Sequence, residues 1–66
     1  MKLKILKALE DKYHANISSA EATLDIYLTK SVGIGEHPQH VDELDKQVDI
    51  IAQNEEKLSV IHRLKQ

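Results

Sequence analysis

SVGIGEHPQHVDEL, Ser31 to Leu44, sets two glycines, a proline and two histidines between segments dominated by Leu, Ala, Glu and Lys. Gly33 stands just past a run of helical periodicity, where a left-handed residue ends a helix at little steric cost, and Ile34 follows where such a cap makes its apolar contact. Pro38 has the fixed φ of a first helical position. Asp42, Glu43 and Asp45 come soon after, at the end of a helix that favours carboxylates. The stretch therefore reads as a stop followed by a start. A phosphate-binding loop would enter a helix from a strand and commonly carry a lysine, whereas GIG here follows a helix and has no lysine close behind it. The expectation is one all-α domain: a helix over about 2–32, a turn over about 33–37 and a helix over about 38–65.

A connection this short makes the two helices antiparallel neighbours. With Leu3, Glu10, Ile17 and Leu24 as heptad a positions, the d positions of the first helix are Leu6, Tyr13, Ala20 and Tyr27. In the second helix the a set is Val41, Val48, Glu55 and His62, and the d set is Leu44, Ile51, Leu58 and Lys65. Folding the chain about Ile34 makes facing residue numbers sum to 68 and sets every a position against a d position. The resulting intrahairpin seam pairs Tyr27 with Val41, Leu24 with Leu44, Ala20 with Val48 and Ile17 with Ile51. Farther from the turn each layer contains a polar or ionisable partner, including Tyr13 opposite Glu55 and Leu6 opposite His62. This coiled-coil-like hairpin is expected to pack best near its turn.

The seam leaves large apolar residues unused. Ile5, Leu9 and Ile26 on the first helix, with Ile50, Ile61 and Leu64 on the second, occupy c or g positions on one side of the hairpin. A two-helix hairpin encloses little core, so an apolar side has an energetic reason to be covered. These six residues form the expected self-association face, and a two-fold dimer making a four-helix bundle is the expected assembly.

Composition narrows the rest. The chain has 66 residues, no cysteine and a net charge of -2. Disulfides and thiolate metal sites are thereby excluded, and a reducing cytoplasm is compatible with the chain. No apolar run approaches the length of a membrane span or a signal-peptide core. The lack of Trp and Phe argues against a base-stacking platform. The sequence supports no catalytic, cofactor-binding or metal-binding assignment. Glu36, His37 and His40 bring a His-x-x-His spacing to the helix start, but zinc demands three or four well-placed ligands. Asp42, Asp45 and Asp49 recur at helical spacing, as carboxylates do in helical magnesium-dependent nucleotide phosphohydrolases, with only Glu21 and Asp25 to answer them from the first helix. Lys2, Lys4, Lys7, Lys12, Lys57, Arg63 and Lys65 gather at the terminal end of the rod, a basic tip that makes nucleic acid the second candidate partner.

Over residues 31–58, SVGIGEHPQHVDELDKQVDIIAQNEEKL resembles short uncharacterised proteins of T4-like bacteriophages of marine cyanobacteria, on GIGEHP followed by a charged helix with IAxxEEKL. The resemblance implies a small accessory protein acting in the cytoplasm of the infected bacterium or retained in the virion, and it transfers no catalytic residues. The expected function is a non-enzymatic, self-associating helical module that binds an unidentified host or phage protein and no membrane. A nucleic-acid accessory is the alternative, and a small metal-dependent nucleotide phosphohydrolase the third reading.

Overall fold

The computed structural model describes residues 2–29 and 38–66. Two helices, α1 (Lys2–Thr29) and α2 (Pro38–Leu64), pack against each other as a hairpin with no strand among the described residues. The expected turn at 33–37, the Gly33 stop with Ile34, and the last residues of the expected first helix lie outside the described residues. Pro38 does open α2. The first turn of α2 contains no acidic residue, so Asp42 and Glu43 stand beyond the turn in which the helix dipole acts most strongly.

Neither helix contains glycine, and Pro38 stands at the first position of α2, where its missing N–H breaks no helical bond. The two helices correct each other's ends. Lys2 and Lys4 oppose the dipole at the start of α1, whose first turn has no acid to offset them. The antiparallel arrangement brings that end to the C-terminal end of α2, where the dipole is negative. Lys65 Nζ donates to Glu10 at 3.1 Å from both carboxylate oxygens, tying the end of α2 to α1.

The rod measures 50 × 14 × 12 Å and has a radius of gyration of 15.2 Å, against about 11 Å for a compact domain of this length. Its core is correspondingly thin. Among the described residues the buried side chains are Leu6, Ala20, Ile61 and the polar Asn54. On α1 the packed face follows Leu6, Tyr13, Ala20 and Tyr27, the expected d positions, flanked by half-buried Leu9, Glu10, Asn16, Ile17, Thr23 and Leu24.

On α2 the packed face differs from the sequence expectation. It follows His40, Gln47, Asn54 and Ile61, flanked by half-buried Leu44, Ile50, Ile51 and Leu58. Val41 and Val48, expected in the seam, are 65% and 53% exposed, and Ile61, expected on the outer face, is only 4% exposed. Glu55 and His62 also point outward. The physical reason is the far half of the helix: a seam through Val41 and Val48 continues through Glu55 and His62. Burying a carboxylate costs several kcal/mol, whereas an amide with partners is tolerated. Turning α2 by one residue replaces those two by Asn54 and Ile61 and leaves two valines in solvent. Among the described residues the buried side chains therefore lie mid-rod and at the terminal end.

The register stays close to the expected one. Tyr27 and His40 meet edge to face at 5.6 Å between ring centroids, residue numbers that sum to 67. Asn16 with Asn54, and Tyr13 with Lys57, sum to 70. The partner of Tyr13 is thus the Lys57 ammonium, 5.4 Å from the ring centroid, and not Glu55.

Candidate interaction surface

The polar groups between the helices are satisfied locally. Asn16 Nδ2 donates to Asn54 Oδ1 at 3.0 Å, and Asn54 Nδ2 donates to the Ile50 carbonyl at 2.7 Å. Gln47 Nε2 donates to Glu43 at 3.0 Å. No buried side-chain nitrogen or oxygen among the described residues lacks a partner. No such group is therefore left over to bind a ligand, and what can engage another molecule lies outside.

Three features of the outer surface bear on function. The first is acidic. Asp42, Asp45 and Asp49 are all exposed on α2, Asp49 accepting from Gln53 at 2.8 Å, while Glu21 and Asp25 are exposed on α1. No group of three His, Asp or Glu residues among the described residues is arranged to hold a metal ion; Glu36 and His37 lie outside them. The depressions in the surface are shallow. One is lined by residues of α2 such as Glu56, Val60 and Arg63 together with Gln66 beyond it, and another lies between Asn16, Ala20, Gln47 and Ile50.

The second feature is the separation of charge along the rod. The terminal half, residues 1–16 and 53–66, has seven Lys and Arg against four Asp and Glu; residues 17–52 have two against seven. Seven minus four leaves +3, two minus seven leaves -5, and together they give the chain's net -2. Lys7 is paired with Asp11 one turn along. That hydrogen bond, then the carboxylate's charge, raises the lysine above its usual 10.5. Its contribution to stability is therefore fully present below 10.5 and is lost only as pH rises through the higher folded value.

The third is apolar. Leu3, Ile5, Ile26, Leu28, Val41, Val48 and Leu64 are all more than half exposed. Of the expected self-association face, Ile5, Ile26 and Leu64 are exposed, Leu9 and Ile50 are half-buried, and Ile61 lies inside the hairpin. Of the expected seam, Ala20 is buried, Ile17, Leu24, Tyr27, Leu44 and Ile51 are half-buried, and the two valines are outside. Sequence reasoning missed Leu28 altogether, since it belongs to neither an a nor a d position; its apolar neighbours at i-4 and across the hairpin were the available signal.

These observations define the class, over the described residues, as an all-α helical hairpin with several large aliphatic side chains in solvent. No family model, curated protein or solved structure matches the chain. No helix among the described residues is long and apolar enough to cross a membrane.

Proposed function

We propose that this chain is a non-enzymatic helical interaction module that self-associates, two hairpins closing a four-helix bundle, and binds another protein through the surface that remains. In line with the phage resemblance, it serves as an accessory protein acting on a host or phage component in the cytoplasm. The observation that carries the reading is the surface. A compact folded chain of this mass exposes about 4,250 Å², whereas this one exposes 5198 Å², with seven large aliphatic side chains more than half exposed. Light scattering across the micromolar range tests it. Twice the 7.5 kDa chain mass is expected, and a well-folded monomer throughout that range would overturn the reading. Magnesium-dependent turnover of nucleotides would overturn its non-enzymatic part.

A second reading draws on the exposed Lys2, Lys4, Lys7, Arg63 and Lys65 around one end of the rod. They make nucleic acid the alternative partner, which a salt-sensitive mobility shift with duplex or single-stranded probes would establish.

A further inference from the structure

The two flanks of the hairpin follow from its packed face. In an α-helix a step of three residues falls to one side of the starting residue and a step of four to the other. Three beyond Leu6 and Tyr13 come Leu9 and Asn16; three beyond Gln47, Asn54 and Ile61 come Ile50, Lys57 and Leu64. These share one flank, where Asn16, Ser19 and Ile50 line the same depression. Glu10 and Lys65, four beyond Leu6 and Ile61, pair on the opposite flank. On the first flank the terminal half carries four aliphatic side chains level with one another. Ile5 and Leu64 are 55% and 51% exposed, with half-buried Leu9 and Val60 beside them. Exposed Lys2, Lys12, Lys57 and Arg63 surround the four, and the Lys57 ammonium is held over the Tyr13 ring at 5.4 Å. The carboxylates of this half are placed elsewhere. Glu10 is bound by Lys65 and Asp11 by Lys7, Glu55 continues the Val41 and Val48 stripe of the other flank, and Glu56 stands at the outer edge beside Arg63.

We propose that the groove between Ile5 and Leu9 of α1 and Val60 and Leu64 of α2 takes the apolar stripe of an acidic amphipathic helix of another protein, whose flanking carboxylates meet the surrounding cations. The inference rests on the protein-binding reading and names the partner's chemistry. Charge excludes a second copy here. A two-fold pair could set patch on patch, which gathers the cations of both copies, or patch on the turn half of the same flank, where Asn16, Ser19, Thr23 and Lys46 stand. A nucleic acid backbone would satisfy the cations but press its phosphates onto four aliphatic side chains. A flat bilayer would meet Ile5 and Leu64 and pass over the half-buried pair beside them. A third helix laid along the groove touches both helices of the hairpin and reaches all four. The ten-residue step from Lys2 to Lys12 spans about 15 Å, nearly three turns of such a helix. The partner therefore carries aliphatic residues at i, i+3 or i+4, and i+7, with Asp or Glu on both sides of that stripe.

Fluorescence anisotropy on the full chain tests this with two labelled peptides. Both carry leucine at i, i+3 and i+7 and are stapled on the far side, because so short a helix does not hold in water alone; one has glutamate beside the stripe, the other lysine. The glutamate peptide is expected to bind, and Ile5→Ser with Leu64→Ser to weaken it by about tenfold or more. Leu28→Ser with Val41→Ser, residues as exposed but at the turn half, should leave its binding unchanged. Raising sodium chloride towards about 1 M, where the screening length is about 3 Å, should weaken it as well. Reversing charge with Lys2→Glu, Lys12→Glu and Arg63→Glu should transfer binding to the lysine peptide, a switch that no folding defect imitates. Failure to bind the glutamate peptide, or binding of the lysine peptide as tightly by the wild type, would overturn the proposed site. In the second case the protein-binding reading itself would stand. A wild type that ignores both peptides but binds phosphatidylglycerol vesicles or a labelled oligonucleotide through Ile5 and Leu64 would defeat that reading too. Light scattering on Ile5→Ser with Leu64→Ser should return the wild-type mass; a dimer lost there would assign the flank to a second copy and overturn the proposal.

Discussion

Asn54 stands where an aliphatic residue would make the greater hydrophobic contribution. It is the buried polar side chain among the described residues, and both ends of its amide are used, by Asn16 and by the Ile50 carbonyl. An asparagine pair of this kind holds two helices in one register, because sliding α2 by a turn buries two amides without partners. Asn54→Ala removes one member and strands the other. It is expected to destabilise the hairpin by about 1–3 kcal/mol, measured by urea unfolding followed by circular dichroism. Asn16→Leu with Asn54→Leu removes both, and stability should then hold or rise. The lost register should appear as more than one set of amide resonances in that double variant; a single sharp set would show that the pair does not select the alignment.

At the scale of the helix, both helices were legible in the sequence, but the packed face was legible only for α1. The d positions of α1 contain Leu6, Tyr13, Ala20 and Tyr27, with no adjacent stripe to compete with them. In α2 two stripes one residue apart compete. Val41 and Val48 win a count of apolar residues near the turn, but the same stripe runs into Glu55 and His62, and desolvation over the far half outweighs two valines at the near half. Counting apolar residues by heptad position weighs every layer equally, whereas the cost of burying a carboxylate exceeds the gain from burying a valine. The exposure of Val41 and Val48 became readable only once that rotation was known, because the seam had claimed both. Register was recoverable, since helix length and the position of Pro38 constrain it without reference to rotation. The rotation makes adjacent residues behave oppositely. Ile61→Ala is expected to cost about 2–5 kcal/mol, and His62→Ala to stay within about 0.5 kcal/mol, in thermal unfolding of the two variants side by side. Equal losses would restore the a/d seam.

At the scale of the whole molecule, a rod with four buried side chains among its described residues has little to offset the entropy of ordering its backbone. Folding and association should then be one equilibrium, and dilution should lower the thermal midpoint. Each tenfold dilution of a folded dimer that dissociates on unfolding removes RT ln 10, about 1.4 kcal/mol per dimer. Unfolding entropy near the midpoint is about 2.1 cal/mol/K per residue, or roughly 0.28 kcal/mol/K for two chains of this length. The ratio gives a fall of about 5 °C per tenfold dilution. Melting curves recorded by circular dichroism at protein concentrations a hundredfold apart should therefore differ by about 10 °C. A self-contained hairpin would melt at one temperature throughout, since no concentration enters a unimolecular equilibrium. Val41→Glu with Val48→Glu, two exposed positions, adds a contrast: if its dimer is lost but residual helix remains, its melt should be low, broad and independent of concentration. A concentration-dependent melt retained in that variant would mean that some other surface holds the copies together.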